Sequence, residues 1–213
     1  RCIILRCQIP RTFIDCNRRI DASPADFKAG KVTPGLMPWI IDADDRALLV
    51  GRYRQYVDTV EHFAAQVMPR GAMVLMHTYA PRTVGVEVDF DIVKNLHAAY
   101  QPEIEPTWPM RPEIDVINKN EHGESLVNRQ VFDTLSTQMQ AIGVTVADGL
   151  SYPMHPSTLA FNHVQRWPDR VMCLEVRLDL LADPFTPFAQ MRISAEKAQR
   201  LAGPICDAVS VWF

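Results

Sequence analysis

Apolar residues follow two patterns along the chain: short uninterrupted runs, and longer stretches that carry a single apolar stripe. The clearest run covers residues 72–76 and leads directly into His77, Thr78 and Tyr79. A short continuous apolar run bounded by turn residues is typical of a buried strand. Runs of similar composition predict four more strands, at residues 12–16, 114–117, 144–147 and 171–177.

The striped stretches predict helices. Residues 42–67 carry apolar side chains at intervals of three and four, and Asp42 provides a cap at the amino end. A helix capped by Ser194 is predicted at residues 194–209, with an interruption at Gly203 and Pro204. Two further helices are predicted at residues 92–100 and 125–142.

Turn-forming residues separate these elements. Prolines and glycines predict loops at residues 19–38, 102–112 and 148–168. Residues 84–91 alternate apolar and acidic side chains and fit either an exposed strand or an extended loop. The resulting order alternates strands with helices, which favours an α/β sandwich with a mixed, largely parallel sheet.

The composition is that of one folded domain. The chain has 213 residues, of which 47% are apolar, so it can bury a sizeable core. A net charge of -3 and a pI near 6.1 give no electrostatic basis for binding nucleic acid or an anionic membrane. No apolar run approaches the roughly 20 residues that span a bilayer. We therefore expect a single domain over residues 1–213, and the sequence leaves its oligomeric state open.

The cysteines indicate a reducing compartment. There are five of them, an odd number, and no Cys-x-x-Cys pair occurs. We expect reduced thiols and a cytoplasmic protein. Cys16 and Cys173 lie in apolar runs, which favours small buried side chains over nucleophiles. The chain begins at Arg1 without a methionine, so we expect that an amino-terminal segment is missing.

Two polar residues stand out in the predicted strands. His77 follows the apolar run at residues 72–76, and the carboxyl edge of an open α/β sheet is where ligands bind. The alternative is a hydrogen-bonded structural histidine. Glu175 interrupts the run at residues 171–177, and a buried carboxylate must be paired, metal-bound or functional. Its structural alternative is an ion pair with Arg177 or with another arginine at the strand end.

A third candidate is the pair Asn17 and Arg18, which follows a predicted strand and precedes a long loop. The planar guanidinium of arginine matches a carboxylate, and asparagine adds a neutral donor. The alternative is a solvated loop arginine. The sequence has no glycine-rich phosphate loop, no Gly-x-Ser-x-Gly elbow, no His-Glu-x-x-His and no cysteine-based zinc pattern.

Three of these segments, taken in order, resemble a known family. Residues 15–18 are similar to the "D-x-N-R" segment of zinc carboxypeptidases and the related N-formylglutamate amidohydrolases. Residues 75–79 resemble their apolar strand that ends in "H-S-[YF]", and residues 174–177 resemble their late strand with "[IFL]-E-[LV]-R". Arg11, ahead of the first segment, is closer to the amidohydrolase branch. The resemblance implies a three-layer α/β sandwich of the phosphorylase/hydrolase-like, zinc carboxypeptidase-like type.

The resemblance also implies roles for single residues. His77 would be a ligand of Zn²⁺, and Glu175 would be the general base that takes a proton from water. Arg18 with Asn17 would hold the substrate carboxylate. Arg11 would polarise the carbonyl or assist carboxylate binding, and Tyr152 would close over the substrate.

The implied function is zinc-dependent hydrolysis of an amide bond in a small N-acyl amino acid, such as an N-formyl amino acid, with a free carboxylate. In the family, a histidine and an acidic residue from an early loop complete the zinc site. Nothing before Asn17 contains a histidine, so these ligands are expected outside this chain. Two alternatives stay open: a carboxypeptidase-like peptidase, and a metal-free family member that only binds a carboxylate.

Overall fold

A four-stranded sheet forms the centre of the computed structural model, which describes residues 2–20, 33–86 and 89–213. Its order is β1-β4-β2-β3. The pairs β1–β4 and β2–β3 are parallel, whereas β2–β4 is antiparallel. The sheet is therefore mixed and mostly parallel, which confirms the predicted fold class. The strands are β1 (Met73–Tyr79), β2 (Ile114–Val116), β3 (Val146–Asp148) and β4 (Val171–Arg177).

The helices of the described ranges flank this sheet. Three begin where expected or nearly so, because Asp42, Asn128 and Ser194 each accept hydrogen bonds from backbone N–H groups of the first turn. None of the described helices is long and apolar enough to cross a membrane. The α-helices are α1 (Ala43–Val67), α2 (Ile92–Ala99), α3 (Arg129–Ala141), α4 (Leu159–Arg166) and α5 (Ala195–Ser210), with 3-10 turns at Glu105–Thr107 and Leu178–Leu180.

Two predictions made from the sequence are wrong, one at residues 148–168 and one at residues 12–16. The predicted loop at residues 148–168 contains α4, whose first turn is capped by the Thr158 hydroxyl. The predicted strand at residues 12–16 is a turn with a single bridge between Ile14 and Leu36. The turn forms because the Asp15 side chain accepts from the backbone N–H of Asn17, which competes with strand pairing.

Smaller differences concern element boundaries. Helix α3 begins at Arg129 instead of residue 125, since the Asn128 side chain caps it. Helix α5 runs through Pro204 without the predicted interruption. The described part of residues 84–91 forms no strand, and most of the predicted loop at residues 19–38 lies outside the described ranges.

The two faces of the sheet are each covered by helices, which makes a three-layer sandwich. Met172, Leu174 and Val176 of β4 pack with α3 and α5 in one core, and all three are fully buried. Val171 and Cys173 point to the opposite face, where residues of α1 and α4 cover them. Burial of each large apolar side chain contributes about 1.5–3 kcal/mol, so both layers hold the sheet in place.

Candidate active site

A row of three polar residues crosses the sheet on the face covered by α1 and α4. His77 of β1 lies opposite Glu175 of β4, and Glu175 lies opposite Asp115 of β2. Residues directly opposite each other on neighbouring strands project to the same face. The parallel strands β1 and β4 both end two residues later, so His77 and Glu175 lie near the carboxyl edge of the sheet.

Glu175 is the buried carboxylate of this row, with 8% of its surface exposed. Its Oε1 accepts a hydrogen bond from the hydroxyl of Tyr152. Its Oε2 is buried and has no hydrogen-bond partner within the described ranges. The ion pair with Arg177 is not formed, because that guanidinium donates to Asp179, with Nε 2.8 Å from Oδ1. Glu175 therefore has one fixed oxygen and one oxygen available to a ligand.

His77 is half-buried beside this carboxylate. Burial lowers the pKa of its imidazole, and the charge of Glu175 opposes that shift in part. The charges of Arg11 and Arg18 lower the same pKa further. A neutral imidazole keeps a lone pair for a hydrogen bond or a metal ion. The alternative of a hydrogen-bonded structural histidine finds no partner for the ring in the part of the chain that the structure describes.

The backbone around Arg18 is held from several sides. The N–H of Arg18 donates to the carbonyl of Asp15 at 3.0 Å, and the Tyr53 hydroxyl donates to the carbonyl of Arg18 at 2.9 Å. Gly35 allows the next segment to approach, because a Cβ there would lie 3.1 Å from the Arg18 oxygen. A bridge to Thr158 connects the same turn to the loop before α4. The sequence analysis predicted the end of a strand here. The structure instead has a turn, and its backbone contacts fix the position of Arg18.

The guanidinium of Arg18 is a candidate anion-binding group. Burial lowers its pKa from the ordinary arginine value, with the negative charge of Asp15 opposing the shift. Its Nε is buried and has no hydrogen-bond partner among the described residues. A buried donor without a partner costs free energy that a bound acceptor would recover. The alternative of a solvated loop arginine does not fit this burial.

Arg11 and Asn17 have partners within the protein. The Nε of Arg11 lies 2.7 Å from Oδ2 of the buried Asp15, and its side chain is largely exposed. The side-chain oxygen of Asn17 accepts from the N–H of Ala160 at 3.3 Å, and its carbonyl accepts from the N–H of Leu159. Asn17 therefore caps α4, and its side-chain amide group is the part left for a substrate.

Tyr152 reaches the site from the loop after β3. Burial raises the pKa of its phenol, and the adjacent charge of Glu175 and their hydrogen bond raise it further. The phenol therefore keeps its proton and acts as a donor to the carboxylate. The sequence analysis placed Tyr152 against the substrate, whereas the structure gives it Glu175 as its direct partner.

Asp115 and Asp15 were missed by the sequence analysis. Asp115 is fully buried, and Asp15 is 5% exposed. A signal for Asp115 was present: it interrupts the apolar run at residues 114–117 as Glu175 interrupts its own strand. Asp15 was part of the "D-x-N-R" segment and lay in the predicted strand at residues 12–16, yet it was given no role, because its burial depends on the turn that the structure revealed.

The thiols near the site are unsuited to nucleophilic attack. Burial raises the pKa of Cys173 to about 12, and the charge of Glu175 adds to the effect. The pKa of Cys16 is raised to about 12 by burial first and by its hydrogen bond with Cys7 second. Since thiolates are the reactive species, these values agree with the predicted role as small side chains.

His77 was predicted to bind zinc, and a zinc site there requires further ligands beside it. A zinc site takes at least three protein ligands from histidine, cysteine, aspartate and glutamate. Residues 2–20, 33–86 and 89–213 contain no group of three such side chains placed to hold a metal ion. The described residues therefore do not form a complete zinc site around His77.

Comparisons with known proteins support the fold. No protein-family model matches the chain, and no curated protein sequence matches it. The solved structures include a match, the crystal structure of N-formylglutamate amidohydrolase from Ralstonia eutropha JMP134. The TM-score is 0.57 at 16% identity, and the alignment covers 95% of this chain and 73% of that one. At this identity the likeness shows the fold alone.

Proposed function

We propose that the chain hydrolyses an amide bond in a small N-acyl amino acid, such as an N-formyl amino acid, that carries a free carboxylate. The observation that carries the proposal is the state of Glu175, a buried carboxylate with one oxygen held by Tyr152 and the other without a partner among the described residues. The likeness of the fold to an N-formylglutamate amidohydrolase supports the same class of reaction.

In this proposal Glu175 moves protons. Its free Oε2 accepts a proton from a water molecule as the water oxygen forms a bond to the carbonyl carbon of the amide. The carbon–nitrogen bond then breaks, and Glu175 returns the proton to the leaving nitrogen. The Tyr152 hydroxyl fixes the carboxylate in one orientation throughout. A carboxylate that is immobilised before the reaction needs no reorganisation during it.

Arg18 binds the substrate carboxylate in this proposal. Its Nε is buried and without a partner among the described residues, and a hydrogen bond between opposite charges is strong. The side-chain amide group of Asn17 and the exposed guanidinium of Arg11 are further donors on the same turn. Arg11 retains the proposed role of polarising the carbonyl, and its contact with Asp15 would orient it.

Zinc remains a prediction at His77. When bound, Zn²⁺ would lower the pKa of its water ligand and polarise the carbonyl. The described residues supply too few ligands, so the proton transfers proposed for Glu175 use only protein side chains and water. Elemental analysis after purification without chelators tests this part: about one zinc per chain supports it, and no uptake of added zinc overturns it.

The activity is tested with a panel of N-acyl amino acids and of peptides that have free carboxyl ends. We expect release of free amine from the N-acyl amino acids and little from the peptides, which would instead favour a carboxypeptidase-like enzyme. Glu175→Gln should lower turnover by about 10²- to 10⁴-fold. Glu196→Gln is the matched control, since that glutamate is exposed in the first turn of α5, which packs on the opposite face of the sheet. Full activity in Glu175→Gln would contradict the mechanism.

A second candidate is a protein that binds a carboxylate and catalyses no reaction. The combination of an unsatisfied Arg18 donor with an incomplete ligand set favours it. Calorimetric titration with an N-acyl amino acid separates the two: binding that depends on Arg18, without any turnover by the wild-type protein, would establish this candidate.

A further inference from the structure

Asp115 is the fully buried member of the row, and both of its carboxylate oxygens accept hydrogen bonds from the protein backbone. Its Oδ1 accepts a hydrogen bond from the N–H of Leu150 at 3.2 Å, and its Oδ2 accepts from the N–H of Ser151 at 2.6 Å. Both carboxylate oxygens are thereby used on two consecutive residues. The next residue in the chain is Tyr152, whose hydroxyl donates to Glu175.

We propose that Asp115 is a positioning residue for the reaction, which fixes the backbone of residues 150–151 so that the Tyr152 hydroxyl reaches Glu175. This inference rests on the proposed function, because it explains how the general base is held. The register places Asp115 directly beside Glu175 on the neighbouring strand. A loop anchored at Asp115 therefore brings its following side chain back over Glu175.

The ends of this loop are fixed independently of Asp115. The ammonium group of Lys119 donates to the carbonyl of Asp148 at 2.7 Å, and the N–H of Met154 donates to the carbonyl of Lys119 at 2.7 Å. Gly149 adopts a left-handed conformation with φ 64°, which directs the chain away from β3. Between these fixed ends, the contacts with Asp115 determine where Leu150 and Ser151 lie.

A carboxylate is the side chain that this position requires. Here each of the two N–H donors has its own acceptor oxygen, and a fully buried N–H without a partner is costly. Asn at position 115 would offer one oxygen and would direct an NH₂ group at the second N–H. The loop would lose one anchor while the strand kept a side chain of the same shape.

The test compares Asp115→Asn, Tyr152→Phe and the double variant. Hydrogen exchange should become at least tenfold faster at the amides of residues 150–151 in Asp115→Asn. Nitration of Tyr152 by tetranitromethane, followed by mass spectrometry, should accelerate by a similar factor. Asp207→Asn is the matched control, because it makes the same change of side chain at an exposed position of α5, over the opposite face of the sheet, and leaves both contacts with Asp115 in place.

The kinetic arm separates positioning from general stabilisation. If Asp115 acts through Tyr152, each single variant should lower kcat with little change in KM, and the double variant should be no slower than Tyr152→Phe. Effects that multiply would overturn the proposal, and so would unchanged exchange or unchanged nitration. If Asp115→Asn does not fold, Asp115→Ser, which keeps one acceptor oxygen, replaces it in every arm.

Exchange and nitration need no substrate. If the wild-type protein hydrolyses nothing on the panel, the proposed function fails. The positioning of Tyr152 by Asp115 is then still decided by these two measurements. The two failures are therefore distinguishable.

Discussion

The two faces of β4 bury different kinds of side chain. On one face, Met172, Leu174 and Val176 are fully buried against α3 and α5 and carry no polar atom in their side chains. On the other face, Glu175 is almost as buried, yet it carries a charged group with an unsatisfied oxygen. We call these the apolar face and the site face.

The comparison shows how one strand combines stability with reactivity. Burial of apolar surface on the apolar face contributes to folding directly. On the site face, burial of a carboxylate costs free energy unless hydrogen bonds offset it. Tyr152 supplies one such bond to Glu175, and the neighbouring Asp115 is satisfied by two backbone N–H groups. The site face is thus stabilised only as far as its polar contacts allow.

The largest expected effect is on the apolar face. Leu174→Ala should lower the free energy of unfolding by about 2–5 kcal/mol, because it removes a fully buried side chain and leaves a cavity. Urea denaturation followed by circular dichroism measures this change. The control is Met76→Ala, at the position opposite Leu174 but 52% exposed, which should cost much less. Equal losses in the two variants would show that the apolar face is not the main core.

Arg18 sharpens the site-face side of the comparison. Arg18→Ala should raise KM by roughly 10- to 100-fold, since a hydrogen bond to a charged group is worth about 1.5–3 kcal/mol. The change in unfolding free energy should be small, because the Nε has no partner to lose in the part of the chain that the structure describes. Steady-state kinetics on the N-acyl amino acid panel measures the effect, and Arg18→Lys keeps the charge without the planar donor. An unchanged KM in both variants would remove the assigned role.

Substitutions of Asn17 separate a structural role of this side chain from a role in substrate binding. Asn17→Ala should destabilise the protein by about 0.5–2 kcal/mol, because it removes the side-chain oxygen that accepts from Ala160 at the start of α4. Asn17→Asp keeps an acceptor and should retain most of the stability. Thermal denaturation of both variants checks the expectation. If both are as stable as the wild type, the cap contributes nothing and the substrate role gains weight.

The smallest expected effect is a pH dependence of stability from His163 in the helical layer over the site face. Burial lowers the pKa of His163, and the negative charge of Glu61 opposes the shift. A histidine with a lowered folded-state pKa makes a contribution that is fully present above its unfolded value of about 6.5. That contribution is lost as the pH falls through the folded pKa, since the unfolded state binds the proton first.

The measurement is the unfolding free energy of wild type and His163→Gln between pH 8 and pH 5. The difference at pH 8 gives the constant cost of the substitution, because the imidazole is neutral there. The variant should lose less stability on acidification than the wild type. Identical slopes would assign the pH dependence to other groups.

The sequence by itself determined the layers of this protein. Continuous apolar runs identified all four strands of the sheet, because each strand must place side chains on two covered faces. Helical periodicity identified α1, α2, α3 and α5 for the same physical reason. Glu175 was recognisable because one charge in a buried strand is expensive wherever it occurs.

Only the tertiary structure decided how these elements meet. Helix α4 lies between Pro156 and Pro168, in a stretch whose prolines predicted a loop, and it is capped partly by Asn17 from a distant part of the chain. The alignment of His77, Glu175 and Asp115 depends on strand register, which no local pattern records. The contact between Tyr152 and Glu175 likewise requires the loop anchored by Asp115. The local sequence shows which residues are chemically unusual for their element, and long-range packing determines which of them lie together.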